Sequence, residues 1–140
     1  TISPQHHLSL GGEVGSHRDP GEGAFATLAS LYWSAQLMVR IAWMMKLKPG
    51  NEAIYKLKHD EIWPEMLEAM KRDGVRSFSI YRNGLNLFAY MERDTAPDPD
   101  TPISELTWRW WEMMAPYMET NSDYSPVQRP VEEMFNFENR

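Results

Sequence analysis

The chain has 140 residues, 42% of them apolar and 12% aromatic, which is one ordinary domain with enough apolar side chain to bury a core. Its 14 basic and 20 acidic side chains leave a net charge of −6, so neither nucleic acid nor an anionic membrane surface is an expected partner. The absence of cysteine excludes disulfides and thiol catalysis and fits a reducing compartment, with the cytoplasm as the default.

Residues 1–37 stand apart from the rest. "SLGGEVGSHRDPGEG" mixes Gly, Pro, Ser and charge without a period and reads as loop, so residues 1–37 are expected to be an extension before a single domain over 38–140. The apolar stretch "AFATLASLYWSAQLMV" at 24–39 is interrupted by Ser, Thr and Gln and is shorter than the roughly 18 to 20 residues that span a bilayer. Glu13, Asp19 and Glu22 ahead of it are wrong for the basic start of a secretory leader. His6, His7 and His17 lie in this region without the i, i+4 spacing that brings two imidazoles to one metal.

From Val39 the pattern sharpens. "VRIAWMMKL" sets Ile41, Trp43, Met45 and Leu47 at a period of two, a strand that "KPGN" ends. Between Asn51 and Lys71 the apolar residues recur at helical spacing, and Gly74 is a C-terminal stop. Pro64 sits inside that pattern and predicts a kink or break between Asp60 and Trp63, because proline removes one helical bond and clashes with the preceding turn. "VRSFSIYR", then Asn83-Gly84, then "LNLFAYME" predicts a tight hairpin with Asn-Gly as the turn pair. Beyond a Pro/Asp loop, Thr101 and Pro102 suit the N-cap and first turn of a second helix through "ISELTWRWWEMMAPYM". "VEEMFNF" alternates weakly as a fourth strand.

Strand, helix, strand, strand, helix, strand is the order of the ferredoxin-like split βαβ fold, an α+β class with an antiparallel sheet. Its helices cover one sheet face, and the strands here carry apolar side chains on both. A second copy packed on the open face is therefore expected, which makes the chain a homodimer.

No glycine-rich phosphate loop, nucleophile elbow or metal-spaced ligand set is present in the sequence, and no cofactor is expected. Tyr55 and His59 lie four residues apart and share a helix face. An imidazole titrating near neutrality with a phenol beside it suits general acid–base work, although an amphipathic helix with a half-exposed histidine has the same spacing. Trp63 follows closely, and Trp108, Trp110 and Trp111 fall within four residues. Aromatics at helical spacing usually belong to a core, yet flat indoles also suit the C–H face of a sugar ring, so a small carbohydrate is the expected ligand.

Four stretches, "KLKPGNEAIYKLKHDEIWPEM", "FSIYRNGLNLFAYME", "RWW" and "TNSDYSPV", together resemble the L-rhamnose mutarotase family, over about Met38 to Phe137. The resemblance implies a dimeric ferredoxin-like α+β barrel that interconverts L-rhamnose anomers without a cofactor. It places the proton-donating histidine on His59, one substrate-contacting tyrosine on Tyr55, and the paired tryptophans on Trp110 and Trp111. A second substrate-contacting tyrosine falls on Phe78, which lacks the hydroxyl. Asp123 and Ser125 are candidates to touch sugar hydroxyls, with turn formation as their other reading. Ring opening of a hemiacetal requires one acid and one base; His59 is the expected acid, and the base is water, a carboxylate or the same histidine after turnover. A monooxygenase-type enzyme of the same dimeric architecture and a non-catalytic sugar binder are the competing expectations.

Overall fold

Alternation along Val39–Lys46 produces the first strand, β1, in the computed structural model, which describes residues 38–138. The expected extension and its three histidines lie outside the described residues. Two short helices follow, α1 (Glu52–Asp60) and α2 (Pro64–Arg72), then β2 (Val75–Asn83), β3 (Asn86–Arg93), α3 (Glu105–Met114) with a 3₁₀ turn at Ala115–Tyr117, and β4 (Arg129–Val131). The four strands form one antiparallel sheet in the order β2-β3-β1-β4, the ferredoxin-like arrangement. No helix among the described residues is long and apolar enough to cross a membrane.

Pro64 breaks the helical run completely. It occupies the first turn of α2, where a missing N–H leaves no bond unmade, and Trp63 before it is extended at φ −62°, ψ 133°. The Ile62 N–H bonds to the carbonyl of His59 at 3.2 Å, so α1 closes in a tightened turn at the histidine itself.

Three boundaries differ from the sequence reading. Asn83 pairs with Asn86, so the hairpin turns on Gly84-Leu85, one residue later than Asn83-Gly84. Gly84 has φ 61° while Leu85 is not among the positive-φ residues, as in a type II′ turn with glycine first. The last helix starts at Glu105 rather than after Thr101, because the Ser104 hydroxyl accepts the Thr107 N–H at 3.2 Å and caps it. The fourth strand lies at Arg129–Val131 and not along Val131–Phe137. It is an edge strand, where Pro130 is tolerated because its missing donor would face outward.

Register divides the side chains between two faces. Ile41, Trp43 and Met45 of β1 stand opposite Met91, Ala89 and Leu87 of β3, and these stand opposite Phe78, Ile80 and Arg82 of β2. A bulge at Arg76 lets β2 join this register. The helices cover this face, and the core of Met45, Leu47, Tyr55, Leu87, Ala89, Trp110, Met114 and Met118 lies between the layers. The opposite face presents Met44, Tyr81, Phe88, Tyr90 and Val131, of which Tyr81 is 67% and Phe88 40% exposed.

Candidate active site

Tyr55 and His59 are one turn apart on α1, and their rings lie at 4.3 Å and 31°, so the helix stacks the imidazole against the phenol. The Nδ1–H of His59 donates to the carbonyl oxygen of Tyr55 at 2.9 Å. A carbonyl only accepts, so this bond requires the proton on Nδ1 and leaves the lone pair of neutral imidazole on Nε2. Among the described residues no group hydrogen-bonds Nε2.

Burial pushes the His59 pKa below its ordinary 6.5, against weaker support for the cation from the Tyr55 carbonyl and the charge of Asp60. The ring is therefore neutral at pH 7. Burial raises the pKa of Tyr55, which keeps its phenol protonated and able to donate.

Helix α3 supplies the opposing wall. Trp110 is buried and meets His59 edge to face at 5.4 Å, while Trp63 meets Trp110 in the same manner at 5.2 Å. Trp111 points differently and packs at 5.1 Å against Trp108.

These side chains border a cleft of about 440 Å³ between the first helices and the sheet, with Tyr55, His59, Phe78 and Trp110 in its wall and Lys56, Asp60 and Arg82 also lining it. A second hollow of about 480 Å³ shares those four residues and adds Trp43, Trp111, Pro126 and Gln128. Both volumes suit a small organic ligand, and a mostly apolar wall with a few polar groups is the usual composition of such a site. Among the described residues no three His, Asp or Glu side chains converge as metal ligands.

The sequence candidates thus separate. His59, Tyr55, Phe78, Trp110 and Trp111 are brought together, whereas Asp123 and Ser125 line neither hollow. Both the amide and the hydroxyl of Ser125 donate to Asp123 Oδ1, at 3.0 and 2.5 Å, and Asn121 Nδ2 donates to Ser125 Oγ at 3.0 Å. The hydroxyl holds the Asp123 carboxyl below its ordinary range. Tyr124 between them has φ 71°, so this cluster organises a sharp turn. Sequence reading missed Trp43, Met66 and Ile80. Their spacing marked them only as core-facing, and only the packed structure shows that they border a hollow.

The family model of L-rhamnose mutarotase matches residues 40–137. The L-rhamnose mutarotase of Listeria monocytogenes is 43% identical over 101 residues, covering 70% of this chain and 97% of that protein. The L-rhamnose mutarotase of Bacillus subtilis is 42% identical over 101 residues, with the same coverage. The crystal structure of L-rhamnose mutarotase from Formosa agariphila superposes with a TM-score of 0.64 at 37% identity, covering 71% of this chain and 99% of that one.

Proposed function

From the premise that this chain belongs to the L-rhamnose mutarotase family, we propose that it interconverts the α and β anomers of L-rhamnose by acid–base ring opening, with His59 moving the proton. The observation that carries the reading is the tethered imidazole. With Nδ1–H committed to the Tyr55 carbonyl, neutral Nε2 is the one nitrogen free to exchange a proton with a ligand.

In the forward step Nε2 takes the proton of the anomeric hydroxyl. The O1 electrons form the C1=O1 carbonyl, the C1–O5 bond breaks towards O5, and O5 receives the proton from the imidazolium or through water. Rotation about C1–C2 presents the other carbonyl face. Reversing the same transfers closes the ring as the opposite anomer, and no atom is gained or lost.

Tyr55, held protonated, donates to a sugar oxygen, while Trp110 and Trp111 wall the C–H face of the ring. Phe78 contributes apolar surface. Asp123 and Ser125 act at one remove, holding the turn that leads to Pro126 and Gln128 on the wall of the inner hollow.

Saturation-transfer NMR on a small panel of sugars reads anomeric exchange directly. Exchange of L-rhamnose well above the buffer rate, and faster than for its stereoisomers, is expected. Tight binding with exchange at the buffer rate would instead identify a sugar-binding protein.

The open sheet face supports a homodimer. Tyr81, Phe88, Tyr90, Met44 and Val131 form an apolar patch on the side the described helices do not cover, and a second copy of the same sheet is a self-complementary partner for it.

A further inference from the structure

Trp43 sits mid-strand in β1, between Ala89 of β3 and Pro130 of β4. Its indole lies on the helix-covered face, beside the Phe78 ring at 5.6 Å and 38°, and lines the hollow shared by Tyr55, His59 and Trp110. Trp43 Nε1 is buried and has no hydrogen-bond partner among the described residues. Among the described residues it is the one buried side-chain nitrogen or oxygen in this condition.

Buried donors are almost always paired, and one left unpaired destabilises the fold. Phe78, whose ring it meets, and Ala89 and Pro130, which face it across the strands, offer no side-chain acceptor. The ring also borders the hollow, into which a ligand can bring an acceptor.

We propose that Trp43 is a substrate-binding residue whose Nε1–H donates to an oxygen of the pyranose, and that this bond fixes how deeply the sugar sits below His59. The inference rests on the reading of the site as a mutarotase. An indole N–H only donates and does not titrate, so Trp43 positions the sugar and takes no part in moving the proton. It recognises a hydroxyl oxygen away from the reacting C1, O1 and O5, and a deoxy analogue lacking that hydroxyl leaves the donor unpaired again. The bond is present in both anomers and throughout opening, so its loss weakens ground state and transition state alike.

The test uses the full chain labelled with ¹⁵N at tryptophan and titrated with L-rhamnose and the sugar panel. The Trp43 indole resonance, assigned by its contact with the Phe78 ring, is expected to shift on binding and to exchange more slowly with solvent. Trp43→Phe, shown to be folded by its thermal transition, should raise KM for anomer exchange about 2- to 12-fold with kcat unchanged, as expected for one net hydrogen bond. An indole resonance that stays in place while the wild-type chain exchanges L-rhamnose anomers would overturn the proposal and leave the mutarotase reading standing. The same holds for a folded Trp43→Phe protein with wild-type KM. A sugar that binds and moves this resonance without exchanging its anomers would keep Trp43 as a binding residue and overturn the mutarotase reading. Binding of none of the sugars would overturn both.

Discussion

His59 has one nitrogen tied to its own helix, and that tie dictates how its activity should respond to pH. Exchange through Nε2 requires the neutral ring, and burial has lowered the pKa from 6.5. The rate should hold a plateau from neutrality upward and fall on the acid side, through an inflection below 6.5, as Nε2 becomes protonated before the sugar arrives. An inflection above 6.5 in the pH profile of kcat/KM would contradict this. His59→Ala should lower kcat about 10²- to 10⁴-fold, the usual worth of a positioned acid–base group, with sugar binding retained on the tryptophan walls. Saturation transfer at wild-type rates in that variant would make the histidine a bystander. Tyr55 and His59 were legible in the sequence because i, i+4 spacing is a local feature, whereas Trp110 was singled out among the clustered tryptophans by the family resemblance. Trp43 was legible only as an inward-facing strand residue. Whether a buried N–H finds a partner depends on neighbours in β2, β3 and β4, which no local window contains.

The elements place that chemistry through their ends. The break between α1 and α2 puts His59 in the last turn of its helix, and the proline that causes it was readable directly. The other boundaries were less so. Asn-Gly fits a hairpin with either the pair or glycine alone in the turn, and cross-strand register selected the second. Ser104 and Thr101 are both competent caps, and the one that meets an amide three residues on is set by how the loop packs. The final strand was masked by the proline within it. Gly74, which ends α2, makes a test at this scale. It has φ 85°, and a Cβ there would meet Cβ and Oδ2 of Asp94 at 3.4 Å, an ordinary contact, so the added methyl meets backbone strain rather than a clash. Gly74→Ala should destabilise the domain by about 1–2 kcal/mol. It should move the urea midpoint without changing the m-value. A midpoint equal to wild type would show that the turn tolerates a side chain.

At the scale of the whole domain, the described helices all lie on one face of the sheet and leave the other uncovered. Alternation along the strands made this legible in the sequence, since aromatic and methionine side chains fall on both sides. What alternation does not contain is the partner, because self-association is a property of the assembled surface. Phe88 is centred on that face, beside Met44 of β1 and Tyr81 of β2. Phe88→Asp places a charge where a second copy would bury it, so sedimentation should move from twice the 16.3 kDa chain mass to the single chain at micromolar concentration. The domain should remain folded, because the substituted side chain lies on the face away from the core. A wild-type protein that already sediments at 16.3 kDa would remove the dimer.

The edge-to-face contact between His59 and Trp110 also has an optical consequence. An indole emits less when a cation stands at its ring, and the imidazole, 5.4 Å away, is a neighbour that acquires a charge on protonation. Trp63 lies against the same indole at 5.2 Å, close enough to pass excitation to it. Protonating His59 should therefore dim the intrinsic fluorescence of the chain, and His59→Ala should abolish that dimming. The chain thus carries its own indicator of the histidine's charge, readable in plain buffer with neither sugar nor label present.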